Sequence, residues 1–236
     1  MTDSTQLRVL ADGHHHPCPS AGNQQTAVAR LLYAVRQPGS LAVLSGPGGT
    51  GVTTVLGRLA ADLEQAGQRV QWLSGRNPNR TNYSAWSSSR TGDAGLPPVL
   101  LLDDAHVVGT GVLTACLQQC GEVAPTASVV LAGRGRLLTL LARERDLGER
   151  IRLRAVLRAW TVDETEEMVA GRLAAAGVDQ YEAGVPSLIH AIAAGIPQAI
   201  GHLLETVLLV AKTQPQHRLR CEDIERMHER LSLAAA

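Results

Sequence analysis

The sequence contains no phenylalanine, and its only aromatic residues are three tryptophans and three tyrosines. It has no apolar run of the roughly 18 residues that a membrane-spanning helix needs. The longest such run, residues 203–211, is interrupted by Glu205 and Thr206. The basic stretch followed by an apolar stretch that marks a secretory signal is also missing from the N-terminus. These absences predict a cytoplasmic protein without a transmembrane segment.

Lysine is nearly absent as well, because 21 of the 22 cationic residues are arginines and only Lys212 is a lysine. The 22 Asp and Glu residues bring the net charge to zero, which argues against a general attraction to nucleic acid but leaves local basic patches open. Four separated cysteines favour a reducing compartment over a disulfide scaffold. Cys116 and Cys120 lie four residues apart on one predicted helical face, where we expect buried small hydrophobic side chains. A hydrophobic content of 44% without net charge excludes a disordered chain.

The chain does contain an alternation of strand-like and helix-like segments, followed by helix-like segments alone. Short apolar runs bounded by glycine or polar residues predict buried strands, at residues 41–44, 69–73, 99–102, 128–132 and 151–156. Apolar residues at helical spacing predict helices, at residues 25–36, 51–66, 113–121, 137–145, 162–176, 182–194, 197–212 and 221–231. Thr161 and Glu164 form a predicted capping box at the start of one of them. This order indicates an α/β core with a helical subdomain after it.

Three parts are therefore expected along the chain: a flexible N-terminal segment (1–23), an α/β core (24–158) and an all-helical subdomain (159–236). Within the core, residues 74–98 are rich in Ser, Arg, Asn and Gly and are typical of a long surface loop. Loops above about 15 residues are usually functional or disordered. Residues 14–16 are histidines and Cys18 follows, but no second ligand pair with zinc-like spacing appears, so a flexible tail is favoured over a metal site.

The first predicted strand leads directly into a glycine-rich turn and then a helix, which is the context of a P-loop. The pattern G-x-x-x-x-G-K-[ST] uses glycines so that backbone amides and the helix N-terminus can face phosphate oxygens. The residues predicted to bind a nucleotide in this phosphate loop are Gly46, Pro47, Gly48, Gly49, Thr50, Gly51, Val52, Thr53 and Thr54. A glycine-rich turn without a ligand is the alternative interpretation.

The lysine of this pattern is replaced by Val52. A lysine ammonium makes a charge-assisted contact with the terminal phosphates that is worth about 1.5–3 kcal/mol, or about ten- to a hundredfold in affinity. Its part in neutralising charge in the transition state is larger still. Valine supplies neither effect, whereas Thr53 still offers a hydroxyl to Mg²⁺.

A second motif supports the P-loop interpretation, because the apolar strand at residues 99–102 ends in Asp103 and Asp104. A buried strand delivers such a carboxylate to the carboxyl edge of the sheet, so Asp103 is predicted to bind Mg²⁺ together with Thr53. Asp104 is the candidate catalytic residue, since a carboxylate there can polarise an attacking water. It is one methylene shorter than the glutamate that hydrolysing P-loop proteins carry at this position.

In this order the motifs resemble those of the AAA+ ATPases of the ExeA/GspA secretion type, whose relatives include pilus-biogenesis, exopolysaccharide and transposition ATPases. The resemblance covers residues 24–232. It rests on the segments 31–35 (LLYAV), 45–54 (SGPGGTGVTT), 103–106 (DDAH), 131–134 (LAGR), 150–153 (RIRL), 164–173 (ETEEMVAGRL) and 195–198 (GIPQ).

The resemblance implies a P-loop NTPase (AAA+) core with a five-stranded parallel sheet, followed by an all-helical lid that closes on ATP or ADP with Mg²⁺. It implies homo- or hetero-oligomers of AAA+ subunits and protein partners in a membrane-associated secretion, pilus or polysaccharide system. By position, Gln198 is expected to face the nucleotide from the lid. Arg150 is the candidate catalytic arginine that reaches a neighbouring subunit's γ-phosphate. A solvated basic face and a DNA-facing patch are the alternatives for the arginine-rich residues 134–158.

Four positions depart from the family pattern: Val52 replaces lysine, Asp104 replaces glutamate, Arg134 stands at the sensor-1 position, and Gln198 replaces the sensor-2 arginine. All four touch the γ-phosphate or the attacking water in the family, so their joint change predicts weak or lost ATP hydrolysis. The hypothesis is a regulatory or structural subunit. The alternatives are a slow ATPase, in which Arg134 or a neighbour's arginine replaces the lysine, and an ATP-dependent DNA-binding adaptor of the transposition type.

Overall fold

The computed structural model describes residues 22–76, 96–213 and 218–234. Within these residues the strands are β1 (Leu41–Ser45), β2 (Val70–Ser74), β3 (Val99–Asp103), β4 (Ser128–Gly133) and β5 (Ile151–Val156). The helices are α1 (Gly22–Val35), α2 (Val52–Gln65), α3 (Thr110–Val123), α4 (Arg136–Arg143), α5 (Arg145–Arg150), α6 (Val162–Ala175), α7 (Val185–Ala193), α8 (Pro197–Thr213) and α9 (Cys221–Ala234). The histidines at 14–16 and most of the expected loop at 74–98 lie outside the described residues.

The strands form one parallel sheet in the order β2-β3-β4-β1-β5. This confirms the predicted α/β fold with a five-stranded parallel sheet. In a parallel sheet all strands end at the same edge, and that edge is where such folds bind ligands. The segments that follow β1, β3 and β4 therefore meet there, and they carry the phosphate loop, the two aspartates and Arg134.

Each face of the sheet carries its own hydrophobic cluster. Helices α1 and α2 cover one face, where Leu31 and Leu56 are fully buried. Helices α3, α4 and α5 cover the other, where Leu137 is fully buried. Burying such a leucine is worth about 1.5–3 kcal/mol relative to leaving it exposed. Cys116 and Cys120 belong to the second cluster, as expected, and burial raises the pKa of the Cys120 thiol to about 12.

After β5 the described residues form helices α6–α9 around a third cluster, which includes Leu173, Ile189 and Leu204. The predicted capping box at the start of α6 is confirmed: the Glu164 amide donates to Thr161 Oγ1 over 3.2 Å, and the Thr161 amide donates to Glu164 Oε2 over 2.8 Å. No helix of the described part has the length and apolar character required to cross a membrane. The division into segments 1–23, 24–158 and 159–236 stays a prediction.

Two local features differ from the sequence-based expectation. The helix predicted at residues 137–145 is interrupted at Glu144, which is extended (φ −104°, ψ 93°), and α5 follows. A six-residue helix contains too few apolar positions to show a period. In β5, Ile151 pairs with Leu41 but Leu153 pairs with Ala42, so Arg152 lies in a bulge. Residues two apart on a strand normally lie on the same face of a sheet. Because of the bulge, Ile151 and Leu153 pack on opposite faces.

Replacing Gly195 by alanine is expected to destabilise the link between the core and the helices. Gly195 has φ +67°, and an added Cβ would lie 2.5 Å from the Trp160 carbonyl oxygen and 2.9 Å from His190 Cε1. We expect the free energy of unfolding to fall by about 2 kcal/mol or more in a urea titration. Gly171→Ala is the matched control, because Gly171 lies within α6 with open space around it. There we expect a gain of about 0.5–1 kcal/mol, and equal losses in both variants would contradict this account.

Candidate phosphate-binding site

The phosphate loop makes a tight turn between β1 and α2. Gly49 and Gly51 have φ values of +82° and +93°, a region that favours glycine. At Gly46 an added Cβ would lie 2.6 Å from Thr50 Oγ1 and 2.9 Å from Leu157 Cβ, so only glycine fits without a shift. The first amides of α2 have no carbonyl partner within the helix, as at any helix N-terminus, and this end of a helix favours anions.

Val52, at the position of the missing lysine, is the first residue of α2. Its side chain is partly buried and packs against the hydrophobic cluster beneath α1 and α2. The side chain therefore contributes to the core and supplies no charge to the loop.

Arg134 places a guanidinium directly against the phosphate loop. It follows β4, and the register of β4 with β1 pairs Gly133 with Ser45, the residue before the loop. Its Cζ atom lies 3.3 Å, and its Nε and Nη1 atoms 3.5 Å, from the point where a Cβ on Gly48 would stand. A guanidinium at this place can donate to phosphate oxygens with charge-assisted hydrogen bonds. The structure thus brings one cation to a loop whose own cation is missing.

Thr53 and Asp103 meet beside the loop, as predicted for a magnesium site. Thr53 Oγ1 donates to Asp103 Oδ2 over 2.9 Å, and the Asp104 amide donates to Asp103 Oδ1 over 2.8 Å. Asp103 is only 7% exposed, and burial raises the pKa of its carboxyl although these hydrogen bonds act to lower it. A hydroxyl and a carboxylate in contact are oxygen donors of the kind that Mg²⁺ prefers, so the residues fit the ion.

Asp104, the candidate catalytic carboxylate, is held by an arginine that the sequence did not single out. Arg76 Nε donates to Asp104 Oδ2 over 2.6 Å, and hydrogen bonding to Asp104 raises the pKa of Arg76. His106 Nδ1 lies 3.9 Å from Asp104 Oδ1 and is buried without a hydrogen-bond partner. Asp104 itself has φ +50°. In this arrangement a cation engages Oδ2, one of the two oxygens of the Asp104 carboxylate.

Arg76→Ala is expected to raise ATP turnover severalfold, because it releases the Asp104 carboxylate for an attacking water. The measurement is phosphate release at saturating ATP. Arg145→Ala is the control, since it breaks an exposed ion pair with Glu149, 3.1 Å long, far from the loop. Turnover that stays unchanged in Arg76→Ala would show that the contact with Arg76 does not limit the action of Asp104.

Two further segments touch the loop. From the helical part, the Gln198 amide donates to the Gly49 carbonyl over 3.1 Å, and Ile196 Cγ2 lies 2.7 Å from where a Cβ on Gly49 would stand. The backbone of Gln198 thus contacts the loop, and its expected role of facing the nucleotide stays a prediction. From α1, the buried Gln24 donates through Nε2 to the Thr50 carbonyl over 2.9 Å. Sequence reasoning missed Gln24, since a glutamine near a helix start carries no recognisable signal.

Arg150 does not join this group. It precedes β5, and the first residue of that strand pairs with Leu41, at the opposite end of β1 from the loop. Four residue steps of a parallel strand span about 13 Å. An action of Arg150 on phosphate therefore requires a second subunit, as the sequence-based hypothesis assumes, and its catalytic role stays a prediction.

A five-stranded parallel sheet, a glycine-rich loop at the carboxyl end of β1 and a carboxylate at the end of β3 are the features of a P-loop NTPase fold. The match of residues 6–146 to the family model "Novel STAND NTPase 5" covers more than half of the chain. The chain therefore belongs to this family of NTPases. No curated protein matches the sequence. The finer assignment to the ExeA/GspA type stays a prediction.

Solved structures of AAA+ proteins share the fold. A variant of RuvB from Thermotoga maritima is similar with a TM-score of 0.64 and 19% identity, over 88% of this chain and 68% of that one. The Aeropyrum pernix ORC1 protein in complex with DNA has a TM-score of 0.63 and 19% identity, over 88% and 65%. Drosophila ORC bound to DNA has a TM-score of 0.64 and 15% identity, over 86% and 58%. The chain thus spans less than two thirds of the length of the two ORC chains.

Proposed function

We propose that this AAA+ protein binds ATP or ADP with Mg²⁺ at residues 46–54 and hydrolyses ATP weakly or not at all, acting as a regulatory or structural subunit. The proposal rests on three features of the phosphate loop. Its turn is complete, Val52 packs into the core, and Arg134 lies over Gly48. Such a loop can still bind phosphates through its backbone amides. It lacks the lysine that would neutralise charge on the transferred phosphoryl group.

Each group of residues at this site has its own role in the proposal. The loop amides and the N-terminus of α2 bind the phosphates, and Arg134 donates to them from the sheet edge. Thr53 and Asp103 hold Mg²⁺, which neutralises charge on the phosphates when bound. Gln198 and Ile196 close the lid side of the loop. Arg76 donates to Oδ2 of the Asp104 carboxylate, and we infer that this contact limits the action of Asp104 on an attacking water.

A slow ATPase is the second candidate, and the position of Arg134 favours it. If the guanidinium also stabilises charge in the transition state, hydrolysis persists at a low rate. By contrast, nothing at the phosphate loop favours a DNA-binding adaptor. The motif resemblance supports oligomers with active AAA+ subunits in a secretion, pilus or polysaccharide system.

Val52→Lys is expected to raise ATP turnover at least tenfold, because it restores a charge-assisted contact to the terminal phosphates. The measurement is steady-state phosphate release by the full chain with and without the substitution. Val52→Met is the matched control, since it lengthens the side chain without charge. Wild-type turnover at the rate of an ordinary enzyme, about 10 per second, would contradict the proposal of weak hydrolysis.

A further inference from the structure

The edge strand β5 carries an uncovered basic surface. Arg152 lies in the bulge, and Arg154 pairs with Val43 in register, so it stands on the face of the sheet that α3, α4 and α5 cover elsewhere. Arg152 and Arg154 are nevertheless both exposed, and the next residue on that face, Val156, is 58% exposed. The helices of that face therefore leave β5 open at this point.

Helix α1 adds two residues to this surface. Arg30 donates through Nη2 to the Arg154 carbonyl over 3.3 Å, which brings a third guanidinium beside the strand. Tyr33 follows Arg30 by three residues and so lies on the same side of α1, one turn along. It is 73% exposed, an unusual state for an aromatic residue in a chain that has only six. Arg30 and Tyr33 on α1 and Arg152 and Arg154 on β5 border the open side of this strand, and we call these four residues the basic edge.

The charges of the basic edge are not neutralised within the described part of the chain. No ion pair between described residues involves Arg30, Arg152 or Arg154. The carboxylate nearest in sequence, Glu149, is paired with Arg145. On a protein of zero net charge, an uncompensated group of three arginines creates a local positive potential that attracts a polyanion.

Two other occupants fit this surface less well. Strand addition by a peptide needs free backbone groups along the edge, but the bulge disrupts the strand and Arg30 occupies the Arg154 carbonyl. A second copy of the chain would have to bury three arginines and therefore present a matching acidic surface. An exposed aromatic ring beside arginines instead matches the way proteins bind single strands, with bases stacked on the ring and phosphates on the cations.

We propose that the basic edge binds single-stranded nucleic acid, with Arg30, Arg152 and Arg154 on its phosphates and Tyr33 stacked on a base. This binding is independent of the phosphate loop. A paired base does not offer its face to Tyr33, so a duplex is expected to bind more weakly.

The test is fluorescence anisotropy of the full chain with labelled 20-nucleotide oligo-dT and oligo-U, from 50 to 300 mM salt. Three phosphate contacts predict a slope of log K against log[salt] of about −2. Arg152→Gln/Arg154→Gln is expected to reduce the slope by about 1.4 and the affinity at 0.1 M salt by about tenfold or more. Tyr33→Ala is expected to lower the affinity about fivefold or more without changing the slope. Arg220→Gln/Arg230→Gln, which removes two exposed arginines of the helical part, is the matched control and leaves both values unchanged.

Several outcomes would overturn the proposal. One is the absence of binding at 50 mM salt, and another is equal weakening by the control and the β5 variants. Equal affinity for a labelled polyglutamate would point to an acidic protein partner instead. Equal affinity for a 20-base-pair duplex, with no effect of Tyr33→Ala, would exclude the single-strand mode. Circular dichroism of each variant separates these results from loss of fold.

Discussion

Replacing Arg134 by alanine is expected to lower the affinity for ATP about ten- to a hundredfold, as measured by titration with a fluorescent ATP analogue in Mg²⁺. The reason is that Arg134 brings a guanidinium to Gly48 of a phosphate loop that has valine at the lysine position. A charge-assisted hydrogen bond is worth about 1.5–3 kcal/mol. Residues 46–54 contain no cationic side chain that could replace it.

Two comparisons make the Arg134 prediction specific. Arg136→Ala removes an exposed arginine two residues further along and is expected to leave the affinity unchanged. Val52→Lys in the Arg134→Ala background is expected to restore most of the lost affinity, because the loop then has a cation again. If Arg134→Ala binds ATP as the wild type does, the guanidinium does not contact phosphate and this account of the site is wrong.

Asp103→Asn is expected to change stability and ligand binding in opposite directions. Burial raises the pKa of the Asp103 carboxyl above its usual value, so folding disfavours the charged form. This cost is absent at low pH and appears as the pH rises through the raised pKa. Asparagine cannot ionise, and its oxygen can accept from the Asp104 amide while its Nδ2 donates to the Thr53 hydroxyl oxygen. Without nucleotide, we expect the variant to be more stable than the wild type at pH 7.5, with a smaller difference at a pH near the usual pKa of an aspartate.

The same substitution removes a charged ligand of Mg²⁺, so the added stability that ATP with Mg²⁺ gives the wild type should be largely lost. The measurement is the unfolding midpoint with and without ATP and Mg²⁺ at both pH values. Asp179→Asn, at an exposed position in the helical part, is the control for the loss of one carboxylate. A variant that is less stable than the wild type at pH 7.5 without ligand would show that the Asp103 charge is compensated in the fold.

The sequence predicts the order of the elements well because its strands are continuous apolar runs. Residues 99–102 and 128–132 are buried on both faces of the sheet, and such runs stand out against the glycines and polar residues around them. β5 was placed at its observed bounds although arginines interrupt it. Its bulge could not be foreseen, since a bulge depends on the register with β1 and leaves no mark in the pattern of residue types.

Residues of the candidate site could be predicted from the sequence where a recognisable motif marks them. The phosphate loop and the pair Thr53 and Asp103 follow from motifs that fix which edge of the sheet they occupy. The contacts of Arg76 with Asp104 and of Gln24 with Thr50 join residues 28 and 26 positions apart. No periodicity links such positions, and they become visible only when the strands and helices are placed.

The role of Arg134 could be predicted from the sequence only in part. Its position at the end of the fourth strand predicted a residue near the γ-phosphate. An arginine at this position departs from the family pattern. Its guanidinium lies beside Gly48, which supports the proposal that Arg134 donates to the phosphates in place of the missing lysine. On this proposal, the cation of the loop is held at position 134 and not at position 52.

The most direct test of this account is a calorimetric titration of the full wild-type chain with ATP in the presence of Mg²⁺. We predict saturable binding at one site per chain, competition by ADP, and loss of binding strength when Mg²⁺ is removed. No saturable binding at millimolar ATP would contradict the central claim, because a phosphate loop served by Arg134 would then not hold a nucleotide.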